Sequence, residues 1–233
     1  MFAGAKVMQT FKTTRNSLYF FTTKHGSFKK IPLFRVTLHS YNPKHIDMSN
    51  ELHPLKPFLP KEAKILILGS FPPPKKRWCM EFFYPNWTND FWRIWGYITQ
   101  GDKNYFVIPN EKRFDKAKIE DFCREYGIAL YDTAEEVIRL KNNASDNFLQ
   151  IVRPTDVAAL LEQLPKCHTL VATGQKSAET LQATIGCPPL AVGEAVYATY
   201  LGREVKVWRM PSSSRAYPRP IAWKAEYYKR ILE

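Results

Sequence analysis

Four consecutive aliphatic residues, Ile65-Leu66-Ile67-Leu68, follow Pro60 and stop at Gly69. No polar residue interrupts them, so the run fits neither an amphipathic helix stripe nor a half-exposed strand. It reads as a short strand buried on both faces, as in a parallel sheet covered by helices. The rest of the chain repeats that theme. Residues 115–126 carry apolar groups at helical spacing and stop at Gly127. Ile128–Tyr131 reads as a second strand. Thr155 caps a helix through Leu164, with Val157, Leu160, Leu161 and Leu164 on one face. Thr169–Thr173 is a third strand, and Gly174 opens a helix through Ile185. Val196–Tyr200 and Glu204–Arg209 form a hairpin around Leu201-Gly202-Arg203, and a last helix runs from Ile221 to Leu232. This alternation predicts an α/β fold: a three-layer sandwich with a mainly parallel central sheet. The 233 residues, 45% hydrophobic, suffice for one large core. No run of 18 apolar residues occurs, so no membrane-spanning helix is expected.

Charge is unevenly placed. Residues 1–47 hold eight of the 34 Lys/Arg but one of the 22 acids, leaving 26 basic and 21 acidic residues for 48–233. An acid-poor basic start fits a transit peptide or a basic arm for nucleic acid. It also fits a disordered extension upstream of a start at Met48. That last reading is the expectation, because turn-rich globular patterning begins only after His53. The domain division is therefore 1–47, a basic extension, and 48–233, the α/β domain. The net charge of +12 favours a polyanion partner.

Several chemistries are excluded. Cys79, Cys123, Cys167 and Cys187 form no C-x-x-C pair, so zinc-ribbon spacing fails and reduced thiols are expected. Neither a Walker loop nor a G-x-G-x-x-G fingerprint is present. His25, His39, His45 and His53 all precede the first recognised strand, and His168 lies at the far end of its own, so no Ser-His-Asp triad is expected. No cofactor and no metal site are expected.

In parallel sheets, ligands bind beyond the carboxyl ends of the strands. Three such ends carry chemistry. The first reads Gly69-Ser70-Phe71-Pro72-Pro73-Pro74-Lys75-Lys76-Arg77, a stiff loop with a glycine for close backbone approach. The second follows Thr173, where a helix beginning at Gly174 aims its amides, with Gln175 and Lys176, at the same edge. The third, Met210-Pro211-Ser212-Ser213-Ser214-Arg215, presents hydroxyls and amides suited to phosphate. Between Trp78 and Tyr97, nine of 20 residues are aromatic, against 14% for the chain. Helical spacing of Phe91, Trp95 and Ile98 makes at least half of these core, while aromatics beside a basic loop also stack on bases. Asn89, before Asp90-Phe91-Trp92, reads as a helix cap. Asp132-Thr133-Ala134-Glu135 reads as a capping box.

Together, Gly69-Ser-Phe-Pro-Pro73, Phe83-Tyr84-Pro85, Asn89-Asp-Phe-Trp92 and Met210-Pro-Ser-Ser-Ser214 resemble the uracil-DNA glycosylase superfamily. The nearest branch is the hypoxanthine-DNA-glycosylase-like one. The motifs stand in family order across residues 55–233. The chain departs from the family at Phe71, Pro73, Met210 and Arg215. The resemblance implies hydrolysis of the N-glycosidic bond of a deaminated base, uracil or hypoxanthine, flipped out of DNA in base-excision repair. It implies Asn89 as the catalytic residue and Gly69, Ser70, Phe71, Pro72 and Tyr84 around the base, with Phe71 stacking on it. Gln175, Lys176, Ser212, Ser213, Ser214 and Arg215 would meet DNA phosphates. The implied partner is DNA with a damaged or deaminated base, bound by a monomer, with no membrane, in the cytoplasm or on a bacterial nucleoid. Two other functions fit the same strand ends: a non-catalytic nucleic-acid-binding protein, and a small-nucleotide hydrolase. A glycosylase requires a base-sized pocket joined to a basic groove, a pure binder only the groove, and a nucleotide enzyme a closed pocket.

Overall fold

The computed structural model describes residues 50–140 and 146–233. The expectations for residues 1–47, and for a start at Met48, lie outside them. In chain order the elements are β1 (Asn50–Leu52), β2 (Ile65–Gly69), α1 (Phe91–Gln100), α2 (Lys116–Glu125), β3 (Ile128–Asp132), β4 (Ala134–Arg139) and β5 (Leu149–Pro154). Then follow α3 (Val157–Glu162), β6 (Thr169–Thr173), α4 (Gln175–Ile185), β7 (Ala195–Tyr200), β8 (Arg203–Met210) and α5 (Ile221–Tyr228).

Strands β2, β3 and β6 are buried at every position. Side chains alternate between faces along a strand, so both faces of this sheet are covered. The sheet has the order β3-β2-β6-β8-β7. The pairings β2–β3, β2–β6 and β6–β8 are parallel, and β7 pairs antiparallel with β8. The β7–β8 hairpin turns at Leu201 and Gly202, both at positive φ (52° and 74°), as a two-residue hairpin turn demands. The chain register puts the ends of β2 (Gly69), β3 (Asp132), β6 (Thr173) and β8 (Met210) along one edge.

A second sheet, not foreseen in the sequence, adds to the central one and is antiparallel throughout. Strands β1, β4 and β5 pair antiparallel in the order β1-β4-β5. Its buried residues Ala134, Val137 and Leu149 form their own small cluster, against which Phe71 and Ile151 pack. These strands are short and, in β4, bulged, so their period-2 signal is broken.

Local readings change at four places. Asp132-Thr-Ala-Glu135 is not a capping box: Asp132 ends β3 and Ala134 begins β4. Thr155 does not cap α3; its Oγ1 donates to the Asp132 carbonyl at 2.7 Å, and Asp156 caps instead, accepting from Ala159 N at 3.0 Å. That helix is also shorter than expected, ending at Glu162. The last helix ends at Tyr228 and tightens into a 3-10 turn over Lys229–Ile231.

The aromatic-rich segment is largely core. Phe82, Phe83, Phe91, Trp92 and Trp95 are buried. Tyr228 of α5 stands edge-on to Phe91 and Trp95, at 6.1 and 6.0 Å between ring centres, which docks α5 on α1. No helix among the described residues is long and apolar enough to cross a membrane.

Candidate active site

The shared sheet edge opens into a cavity of about 710 Å³, within the range of small-molecule sites. Its lining includes Gly69, Ser70, Phe71, Pro72, Tyr84, Asn89, Gln175, Lys176, Ser212, Ser213 and Ser214. Segments that are far apart in sequence thus meet at one place. Arg215 is not in the lining; it is exposed, with Nε 3.9 Å from Asp90 Oδ1.

Several contacts stiffen the first loop. Arg139 Nη2 donates to the Pro72 carbonyl at 3.0 Å while its Nε meets Glu51 Oε1 at 3.0 Å. Trp78 Nε1 donates to the Pro73 carbonyl at 2.6 Å. Phe71 lines the cavity, but its ring also packs on the small cluster of the second sheet and stands edge-on to His53, 5.3 Å away. The ring is therefore a wall fixed from behind.

Tyr84 sits at φ 51°, a left-handed conformation uncommon outside glycine and found where surroundings enforce it. The enforcing contacts are visible. Its ring stacks on Phe91 at 3.6 Å and 9° between planes, and its hydroxyl lies 2.8 Å from Thr173 Oγ1. Burial, and then the charge of Asp132, push its phenol well above the usual range, so it remains a neutral hydroxyl.

Asn89 is one residue before the position expected of a cap. Asp90 occupies the N-cap of α1, while Asn89 Oδ1 accepts from Phe91 N at 2.9 Å. The Asn89 carbonyl is thereby engaged, and the donors of its amide nitrogen stay available to the cavity. Asp90 is engaged too. Its carboxylate meets Lys224 Nζ at 3.0 Å, and its backbone N donates to the Ser213 carbonyl at 2.9 Å. Lys224, fully buried on α5, also donates to the Ser214 carbonyl at 3.2 Å. One buried ammonium therefore locks the start of α1 to the serine loop.

The serine loop meets the start of α4 closely. Gly174 lies at φ 96°, and a methyl group there would sit 3.4 Å from Ser212 Cβ. Ser213 is buried, whereas Ser212 and Ser214 are half-buried. Gln175 Nε2 donates to Glu179 Oε1 at 2.7 Å, so Lys176 is the cation of α4 in the lining.

Sequence reasoning missed Asp146 and His53, and it ranked Asp132 behind Asn89 as a catalytic group because Asp132 reads as a capping residue. Asp132 and Asp146 line the cavity, and His53 stands behind Asp132 with Nε2 2.8 Å from Oδ2. His53 does not precede the first strand but follows it: β1 pairs with β4, and His53 N donates to the Glu135 carbonyl at 2.8 Å. That pairing carries the histidine over the end of β3. For Asp132, the visible signal was its place at the end of an apolar strand, where ligands bind. Asp146 accepts from Ser70 Oγ at 2.8 Å and had no such signal. Among the described residues, no group of three His, Cys, Asp or Glu side chains could hold a metal ion.

Burial raises the Asp146 carboxyl above its usual value of 3.8, and the charge of Asp132 adds to the rise. Ser70, Lys176 and Arg139 oppose it. A raised folded-state value means the native protein holds this proton more tightly than the unfolded chain. The group therefore lowers stability as pH climbs through the usual carboxylate range to the raised value, and above it. Asp146→Asn is expected to melt higher than wild type at neutral pH, with the gain vanishing in acid. Thermal melts of both proteins across pH check this; a loss at neutral pH would contradict it.

No family model matches the sequence, and no curated protein matches it. The fold has a solved counterpart. The solution NMR structure of a protein from Methanosarcina acetivorans, described as a candidate uracil DNA glycosylase, matches with a TM-score of 0.53 and 22% identity. The match covers 76% of this chain and 95% of that one. At that identity the likeness is one of fold.

Proposed function

We propose that this chain is a DNA glycosylase, a hydrolase that cleaves the N-glycosidic bond of a deaminated base flipped out of DNA, in base-excision repair. The observation that carries this reading is the convergence of Gly69–Pro72, Asn89 and Ser212–Ser214 on one cavity with carboxylates in its lining. The fold match to a candidate uracil DNA glycosylase supports it. A pure nucleic-acid binder has no use for buried carboxylates, which repel phosphate.

In this reading, residues 48–233 are the glycosylase domain of the hypoxanthine-DNA-glycosylase-like branch, and residues 1–47 are a basic extension. The first loop, with Tyr84, holds the extruded base. The serine loop, the start of α4 and Arg215 hold phosphates, which position the strand without reading its sequence. Asn89 donates from its amide nitrogen to the base or the attacking water. Deaminated bases leave the stack more cheaply than paired ones, which favours uracil and hypoxanthine. The test is incubation with duplexes carrying uracil, hypoxanthine or xanthine, followed by alkaline cleavage of abasic sites. Intact strands from all three would overturn the reading.

Two variants separate chemistry from grip. Asn89→Ala is expected to slow single-turnover excision about 100-fold, with affinity nearly unchanged, if its donors act in the transition state. As a cap alone it would cost only about 1 kcal/mol of stability. Lys176→Ala and Arg215→Ala are expected to weaken binding and to lower the slope of log affinity against log salt by about one each. Fluorescence anisotropy across a salt series, beside single-turnover rates, measures both.

A further inference from the structure

We propose that His53 and Asp132 form a catalytic dyad: Asp132 takes the proton of the attacking water, and His53 positions Asp132. The proposal rests on the glycosylase reading and gives the proton transfer, which the Asn89 amide does not perform, to Asp132 in the cavity lining with His53 behind it.

The two oxygens of Asp132 have different surroundings. Oδ2 is held 2.8 Å from His53 Nε2. Oδ1 lies beside Gly69, where a methyl carbon would sit 2.2 Å from it and 3.3 Å from the Tyr84 hydroxyl. The glycine leaves that oxygen its place in the cavity wall. One oxygen held by a donor, and one without a hydrogen-bond donor among the described residues on a side chain that lines the cavity, is the geometry a positioned base requires.

His53 cannot turn away. Its side chain is 2% exposed, and its ring is bounded by Phe71, Tyr131 and Phe83, with centres 5.3, 4.6 and 6.3 Å away. Its Nδ1 lies 2.8 Å from the Leu55 carbonyl and 3.2 Å from the Leu55 amide nitrogen. Nδ1 can donate to the first or accept from the second. With Nδ1 accepting from the Leu55 amide, the neutral ring carries its proton on Nε2 and donates it to Asp132 Oδ2, the tautomer the dyad uses. This is the orienting third group of a catalytic base.

The other polar candidates are engaged elsewhere. Asn89 Oδ1 accepts from Phe91 N, and an amide is a poor proton acceptor. Asp90 is paired with Lys224. Asp146 accepts from Ser70 and keeps its proton more readily than an ordinary carboxylate.

The step is a hydrolysis and balances without a redox partner. The water oxygen bonds to C1′ as the C1′–N bond breaks. The electron pair of that bond leaves with the base, which takes a proton from solvent. The water proton passes to Asp132 Oδ1 and then to solvent. The titratable groups facing Asp132 are His53 from the segment after β1, Tyr84 from the loop before α1, Tyr131 on β3 and Asp146 before β5.

The experiment follows single-turnover excision from uracil and hypoxanthine duplexes across pH, with affinity and melting temperature measured on each protein. Asp132→Asn is expected to fall about 100-fold or more in rate while binding DNA and melting like wild type. His53→Phe keeps a ring in the aromatic pocket but removes the donor. Its rate is expected to fall less, and the acid limb of its pH profile to move upward, because a buried carboxylate without its donor holds a proton longer. His53→Gln, which retains an N–H, is expected to bring the limb part of the way back. A merely structural histidine would leave the limb in place. An active wild type with Asp132→Asn at the same rate, or with an unmoved limb in both His53 variants, overturns the dyad and spares the glycosylase reading. A rate loss that only tracks loss of folded protein also overturns it. A wild type that excises neither base overturns the reading and the dyad together.

Discussion

Lys224→Met is expected to destabilise the protein by about 3–5 kcal/mol, the usual result of removing one member of a buried ion pair. Lys224 is fully buried, and its ammonium meets Asp90 Oδ2 at 3.0 Å and the Ser214 carbonyl at 3.2 Å. Methionine fills much of the same volume, so the loss comes from a buried carboxylate left with only the exposed Arg215, 3.9 Å away, rather than from a void. For a folded region of this size the melting temperature should drop by roughly 10 °C. Asp90→Asn combined with Lys224→Met removes the stranded charge and is expected to recover a large part of the loss. Urea denaturation of wild type, both single variants and the double variant supplies the cycle. A loss below about 1 kcal/mol in the single Lys224 variant would mean that water reaches the pair, as it does at a surface salt bridge.

The same pair bears on function. Asp90 is the residue after Asn89, and its backbone N donates to the Ser213 carbonyl. The segment of the proposed catalytic Asn89 and the phosphate-holding serine loop are therefore joined at one buried junction. An energetically costly group kept at such a junction fixes one relative placement of two loops, which is what a site needs before substrate arrives.

Much of this was legible in the sequence. Ile65–Leu68 could be only a strand buried on both sides, and Thr169–Thr173 and the hairpin around Leu201-Gly202 carried equally local signals. The loops after β2, β6 and β8 followed, because the carboxyl ends of parallel strands share an edge. What was not legible depended on pairing across distance. His53 reaches Asp132 only because β1, three residues long, pairs with β4, and no local preference encodes that contact. Asp132-Thr-Ala-Glu135 has the composition of a helix start, but Ala134, Val137 and Leu149 can bury their side chains only as strands of a second sheet, and that burial outweighed the capping preference. Thr155 likewise had a better use than a cap, donating to the Asp132 carbonyl at the end of β3. Asp146 became part of the cavity through Ser70, a contact between residues 76 apart in sequence.

Gly69→Ala is expected to slow excision about 100-fold or more while leaving the protein folded. Gly69 is the last residue of β2 and pairs in register with Asp132. Its backbone conformation is not what requires glycine; the requirement is space. An added methyl carbon would lie 2.2 Å from Asp132 Oδ1, far inside van der Waals contact, and 3.3 Å from the Tyr84 hydroxyl. The backbone cannot give way, because Gly69 is followed by a loop tied down through Pro72 and Pro73 and its own carbonyl accepts from Thr133 N at 2.8 Å. The Asp132 carboxylate must rotate instead, which breaks its bond to His53. The strain and the lost hydrogen bond together should cost roughly 1–3 kcal/mol of stability. The rate should fall about 100-fold or more, because a base displaced by an ångström no longer meets its proton. DNA affinity should change little, since the serine loop, Lys176 and Arg215 are untouched. The double variant Gly69→Ala/Asp132→Asn separates this account from general damage to the loop. If the glycine acts by leaving room for Oδ1, the double variant should be no slower than Asp132→Asn alone. If both losses multiply, Gly69 serves the base-holding loop directly, and the spatial argument linking it to Asp132 is wrong.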